Sequence, residues 1–167
     1  MSDITIRRAE AADLPALLEI YNYYILHTPV TFEIAPRTLD QRREWFHQFG
    51  ERGRYRCFVA DGNGKVIGWV SSARFKERAA YDTTVETSIY LAPDAVGQGL
   101  GRRLYRTLFE ALAGEDIHLA FAGVTLPNDA SVGLHEAMGF RMIGAQPQVG
   151  RKFGRFWDVA QFFKVMD

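Results

Sequence analysis

With a single cysteine in 167 residues, the chain cannot form an internal disulfide, and its stability has to come from packing. That residue, Cys57, sits in the apolar run RCFVA and reads as a buried thiol without the setting of a nucleophile. Net charge is missing too. Twenty basic and twenty acidic residues cancel, which removes the electrostatic pull that nucleic-acid and membrane-surface binding depend on. No window approaches the ~20 consecutive apolar residues of a bilayer span, and the opening MSDITIRRAE carries charges where a secretory signal needs an apolar run. The four histidines, His27, His47, His118 and His135, share no ligand spacing, so no metal site is expected. These absences leave a cytoplasmic protein whose partner is a small molecule or another protein, with no nucleic acid and no membrane. At 47% hydrophobic residues the chain is long enough for one core and short for two, so residues 1–167 read as a single domain.

What is present organises into alternating elements. Ile4 and Ile6 alternate with polar residues and predict a first strand; Asp13 then stands where a helix would be capped, with Pro15 in its first turn and Leu17, Leu18, Tyr21 and Tyr24 on one face. HTPVTFEIAPRT is rich in proline and β-branched residues and predicts an extended connection, followed by a helix from Leu39 to Phe49. YRCFVAD and KVIGWVSSARF read as strands joined at Gly62-Asn63-Gly64, where positive φ is tolerated, and TTVETSIYL reads as a third. Leu100, Leu104, Leu108 and Leu112 mark an amphipathic helix, HLAFAGVTL a buried strand, and Gly139 the stop of a short helix. RMIGAQP and RFWDVAQFFKV are the closing strands, with QVGRKFGRF as the hairpin loop before the last. The order βααβββαβαββ mixes hairpins with crossovers and predicts an α/β (α+β) domain around one mixed sheet.

The chemistry concentrates in YLAPDAVGQGLGRRL, Tyr90 to Leu104, where a strand hands over to a helix through three glycines. A helix N-terminus presents unpaired N–H groups, and glycines before it let an anion approach without a Cβ in the way. The spacing of Gly97, Gly99 and Gly101 matches neither GxGxxG nor GK[ST], so it reads as a phosphate cradle of another kind or as a flexible turn. Arg102 and Arg103 behind it could reach phosphates or stand as solvated surface. On the preceding strand, Val85, Thr87, Ile89 and Leu91 share one face and Glu86, Ser88 and Tyr90 the other. Glu86 there could act as a base, or simply face solvent.

This stretch resembles the acetyl-CoA signature of the GNAT N-acetyltransferases, in which an apolar-x-Pro strand end precedes an [R/Q]-x-x-G-x-[G/A] loop around the pyrophosphate. Val96 stands at the first position of that loop, which forgoes a side-chain contact and leaves the backbone cradle in place. ERAAYDTTVETSIYL, TLPNDASVGLHEAMGF and QVGRKFGRFWDVAQF resemble the phosphinothricin and methionine-sulfoximine acetyltransferases, so the likeness covers nearly the whole chain. It implies a mixed, mostly antiparallel sheet, splayed at the acetyl-CoA site and flanked by helices on both faces. It implies acetyl-CoA as co-substrate, held by Gly97, Gln98, Gly99, Leu100, Gly101 and Arg102 at the pyrophosphate, by the backbone of Ile89, Tyr90 and Leu91 along the pantetheine arm, and by Asn128. It implies Glu86 as general base, acting directly or through one water. His135 would protonate the departing thiolate or help to fix the site. Lys76, Arg78 and Tyr81 would clamp the acid groups of an amino acid, Phe32 would cover it, and Thr87 would complete the substrate site beside Glu86. By the same analogy the protein is a homodimer. The reaction implied is direct N-acetylation of the α-amine of a phosphinothricin, methionine sulfoximine or methionine sulfone type of substrate. The alternatives are a GNAT enzyme for another amine, such as a polyamine, an aminoglycoside or a protein N-terminus, and an acyl-CoA-binding sensor without catalysis.

Overall fold

The structure is a computed structural model describing residues 3–166. Along the chain run β1 (Ile4–Arg8), α1 (Leu14–His27), α2 (Leu39–Phe46), β2 (Cys57–Gly62), β3 (Lys65–Arg74), β4 (Thr84–Leu91), α3 (Leu100–Leu112), β5 (Leu119–Leu126), α4 (Asp129–Ala137), β6 (Arg141–Lys152) and β7 (Arg155–Val165). Their order is the one the hydrophobic periodicity predicts.

The ends of the elements follow local chemistry, and three differ from expectation. Asp13 does precede α1, but its carboxylate accepts two Arg7 bonds at 2.8 Å and the Glu10 N–H at 2.7 Å, so it closes a 3-10 turn instead of capping the helix. Helix α2 opens with a reciprocal cap: Thr38 Oγ1 accepts from the Gln41 N–H at 3.2 Å, and the Gln41 side chain accepts from the Thr38 N–H at 2.9 Å. It stops at Phe46, short of the expected Phe49, because the His47 and Phe49 N–H groups bond only three residues back and tighten the last turn. The β2–β3 hairpin turns at Asn63 and Gly64, with φ of 57° and 82°, as the sequence signal requires. The last hairpin turns at Phe153 and Gly154, so β6 reaches Lys152 and absorbs most of the expected loop.

The seven strands lie in the order β1-β2-β3-β4-β5-β7-β6, antiparallel except for β4 beside β5. That parallel pair is registered at Thr84↔Leu119, Val85↔Ala120 and Glu86↔Phe121, after which the two strands part. Helix α3 buries Leu100, Leu104, Leu108 and Leu112 on one face of the sheet. Truncating Leu104 or Leu108 to alanine would cost about 2–5 kcal/mol. Tyr21 and Tyr24 of α1 pack on Tyr90, whose side chain leaves the opposite face, so α1 and α3 sandwich the sheet. Leu18 is half-buried, and the buried stripe of α1 runs instead through Leu14, Leu17, Ile20 and Ile25.

Candidate active site at the split in the sheet

The parting of β4 from β5 leaves main-chain groups to be satisfied. Ala92 N–H donates to Ile67 O at 2.8 Å, so in the β3–β4 ladder the residues Ala92, Tyr90, Ser88 and Glu86 turn their N–H and C=O groups toward β3. By alternation, Thr87, Ile89 and Leu91 turn theirs away from β3, toward the gap. The Leu91 carbonyl accepts the Tyr24 hydroxyl at 2.6 Å. The gap widens into a cleft of about 920 Å³, walled by β4, β5, α1 and the first turns of α3 and α4.

At one end of the cleft lies the glycine turn. A 3-10 turn at Pro93–Ala95 delivers the chain to Gly97 and Gly99, with φ of 83° and 73°. Gly99 is the N-cap of α3 and has no side chain to accept from the first helical N–H groups, so these donors remain exposed at the cleft. A Cβ built on Gly99 would meet nothing within 4 Å, which makes this an open cradle able to take a diphosphate. A Cβ on Gly101 would lie 2.9 Å from Leu134 Cδ2, so this glycine lets α3 approach α4. Arg102 is exposed at the rim.

At the other end is Glu86. It is half-buried, and among the described residues its carboxylate has neither a hydrogen bond nor an ion pair. Burial pushes its pKa upward, because water is withdrawn from the charged form. Thr87, on the opposite face of β4, begins a buried chain of contacts. Its hydroxyl lies 3.1 Å from the Tyr105 hydroxyl, which lies 2.7 Å from His135 Nε2. His135 Nδ1 is 2.7 Å from the Ser131 carbonyl. Since a carbonyl can only accept, Nδ1 carries the hydrogen and Nε2 accepts from Tyr105. Burial lowers the His135 pKa and favours this neutral ring. Asn128 caps α4, its side chain accepting the Ser131 N–H at 3.2 Å, and also lines the cleft.

The fold thus gathers Glu86, Thr87, Ile89, Tyr90, Leu91, Gly97, Gly99, Leu100, Gly101, Arg102, Asn128 and His135 around one cavity. Gln98 is not in its lining; its side chain turns back to the Asp94 carbonyl at 3.4 Å. Phe32, Lys76, Arg78 and Tyr81 are not in the lining either. Phe32 covers Gly150, where a Cβ would lie 2.2 Å from its ring. Lys76 lies 4.9 Å from the Tyr81 ring centre on the β3–β4 connection, and Arg78 is exposed beside them. Sequence reasoning missed Tyr105 and Tyr24 as polar members of the site. Tyr105 sits on the buried face of an otherwise leucine-lined helix, which was the available signal.

Among the described residues no group of three His, Cys, Asp or Glu could hold a metal ion, and no helix is long and apolar enough to cross a membrane. The sequence pattern of the acetyltransferase (GNAT) family matches residues 17–140. A phosphinothricin N-acetyltransferase of Streptomyces coelicolor is 44% identical over 96% of this chain and 95% of its own length. An L-methionine sulfoximine/L-methionine sulfone acetyltransferase of Pseudomonas aeruginosa is 36% identical over 93% of this chain and 90% of its own. The crystal structure of a GNAT superfamily phosphinothricin acetyltransferase from Sinorhizobium meliloti, in complex with acetyl-CoA, superposes with a TM-score of 0.89 at 34% identity, covering 99% of this chain and 89% of that one. A split sheet with a glycine turn at its mouth and a family pattern spanning most of the chain agree, and the protein belongs to the GNAT acetyltransferase family.

Proposed function

We propose that this protein transfers an acetyl group from acetyl-CoA to the α-amine of a small amino acid of the phosphinothricin, methionine sulfoximine or methionine sulfone type. The observation that carries the reading is the gap between β4 and β5, which joins the glycine turn on one side to the unpartnered, half-buried Glu86 on the other. The names of the relatives supply the substrate class.

Acetyl-CoA brings the thioester; the remaining tasks belong to the chain. The N–H groups at the start of α3 hold the diphosphate, with Arg102 at the rim and Asn128 on the far wall. Ile89 and Leu91 offer main-chain groups in place of the missing strand partner, and an N–H there is placed to polarise the acetyl carbonyl, a contribution of about 3 kcal/mol to the barrier. An amine must lose a proton to be a nucleophile, and Glu86 takes it, directly or through one water. Raised by burial, its carboxylate is a stronger base than an exposed one. His135, tied at both ring nitrogens, helps to fix the site by holding the Tyr105 hydroxyl beside Thr87. Cys57 is buried and its thiol is pushed up to about 12, which disfavours an acyl-enzyme and leaves direct transfer.

Lys76, Arg78 and Tyr81, outside the cleft, act by drawing an acidic substrate toward the start of β4. Met142, Ile143, Val149, Phe153 and Phe156 are exposed along the β6–β7 hairpin, and we assign this hairpin to a homodimer contact in the cytoplasm, to be checked by light scattering. The function is tested by following coenzyme A thiol release with phosphinothricin, methionine sulfoximine and methionine sulfone. Release with at least one is expected. Release with none of them, but with a polyamine or an aminoglycoside, would contradict the substrate assignment.

A further inference from the structure

Arg42 of α2 is 5% exposed and lies among aromatic rings, its guanidinium carbon 3.5 Å from the Trp45 ring centre, 4.6 Å from Tyr21 and 4.8 Å from Trp69. Ring faces attract a cation but do not replace oxygen acceptors in the guanidinium plane. Among the described residues, Nε and Nη2 of Arg42 have no hydrogen-bond partner. Burying a charge in this way is costly unless something pairs with it. Its pKa is lowered to about 10 by burial.

Arg42 lines a side chamber of about 350 Å³, with Tyr21, Trp45, Trp69, Ser88 and Tyr90 among its walls. The other charges at the chamber are Glu33 and Arg37, which pair with each other, and Glu44, which is exposed. None of them neutralises Arg42. Tyr21, Ser88 and Tyr90 line both this chamber and the main cleft, so the chamber opens off the face of β4 that carries Glu86. Residues two apart on a strand are separated by about 6.8 Å, so Ser88 stands one such step from Glu86. In an extended glutamate-like amino acid the side-chain acid lies about 5 Å from the amine, by four bonds of ordinary length. With its amine a hydrogen bond of about 3 Å from the Glu86 carboxylate, an acceptor can therefore place its distal acid beside Ser88.

We propose that this chamber is the subsite for the side-chain oxyanion of the acceptor, a carboxylate or phosphinate, with Arg42 as its counter-charge and Ser88 Oγ as a second donor. The proposal rests on the amino acid reading of the function and, within it, favours the phosphinothricin type, whose side chain is acidic, over the neutral sulfone and sulfoximine types. The aromatic rings around the guanidinium withdraw it from water, which strengthens the pairing. Arg42 supplies what the exposed β3–β4 cluster does not, a buried and unpaired cation in a chamber that shares Ser88 and Tyr90 with the main cleft.

The test reads binding before activity. Trp45 and Trp69 flank the guanidinium, so intrinsic fluorescence is titrated with phosphinothricin, L-glutamate and, as a neutral control, L-norleucine, in the wild type, Arg42→Met, Arg42→Lys and Ser88→Ala. Acidic ligands are expected to bind the wild type with Arg42→Met weakening them by about tenfold or more, norleucine being nearly unaffected. Arg42→Lys should fall between, since it keeps the charge and loses the fork. Melting temperature and acetyl-CoA affinity establish that each variant is folded; should Arg42→Met not fold, Arg42→Lys and Ser88→Ala carry the same comparison. Equal effects on acidic and neutral ligands, or no effect on either, would overturn the subsite. If no amino acid is acetylated by the wild type while phosphinothricin binding still depends on Arg42, the proposed reaction fails and the subsite stands. If amino acids are acetylated and selectivity ignores Arg42 and Ser88, the reverse holds.

Discussion

Glu86→Gln separates proton transfer from everything else Glu86 could do. The side chain is half-buried and makes no hydrogen bond or ion pair among the described residues, so an amide of the same shape breaks no contact. Folding and acetyl-CoA affinity should survive. Stability should in fact increase at neutral pH: a carboxyl whose folded pKa is raised holds its proton longer in the native state, so the wild type loses stability as pH rises from the unfolded value of 4.5 through the folded pKa. The variant is spared that loss, and the two proteins should be equally stable in acid. Turnover should fall by about 10²–10⁴, roughly 3–5 kcal/mol of barrier. The surviving rate should follow the fraction of substrate amine already deprotonated in solution, climbing about tenfold per pH unit below the amine pKa. The ratio of wild type to variant should therefore shrink with rising pH, as measured by thiol release from about pH 6 to about pH 9. The same loss at every pH would refute proton acceptance and leave Glu86 a positioning role; undiminished turnover would refute both.

Three further perturbations probe the supporting structure. Tyr105→Phe leaves His135 Nε2 buried without its donor, which should cost about 1–3 kcal/mol, or roughly 2–4 °C of Tm per kcal/mol; an unchanged Tm would show that this bond contributes nothing. Gly150→Ala puts a Cβ 2.2 Å from Phe32, so the α1–α2 connection must shift, at a cost of about 1–3 kcal/mol, and KM for the amine should rise while that for acetyl-CoA stays put. Cys57, 2% exposed with its thiol pushed up to about 12, should resist a thiol reagent in the native state and react fully in denaturant; rapid native labelling would contradict its burial.

Much of this site could be read in the chain, because its parts are local. The glycine turn is a run of neighbours whose φ values follow from having no Cβ, and the leucine period of α3 fixes which side of that helix is buried. Glu86 declared itself by falling on the face of β4 opposite Val85. What was not legible depends on separation in space. Whether Lys76 and Arg78 reach the cleft is decided by the length and turn of the β3–β4 connection, not by charge, and they stay outside it. Nothing in the sequence distinguishes Arg42 from its polar neighbours on α2; its burial arises from Trp69 and Tyr21, on different elements, closing over it. The extension of β6 was hidden by Gly150, which read as loop and instead pairs with Trp157 just after the register against β7 shifts.

The claim on which the rest depends is that main-chain N–H groups at the head of α3 hold a diphosphate. Calorimetric titration of coenzyme A and of pantetheine, which lacks the diphosphate, into the wild type and Gly99→Ala tests it most directly. A methyl group at Gly99 meets no neighbour in the protein, yet it intrudes on the cradle at a φ of 73°, where a side chain costs about 1–2 kcal/mol. The expected result is tight coenzyme A binding to the wild type, weakened about tenfold or more in the variant, with pantetheine indifferent to the change. Coenzyme A binding that ignores Gly99→Ala, or a wild type that does not distinguish coenzyme A from pantetheine, would contradict the account.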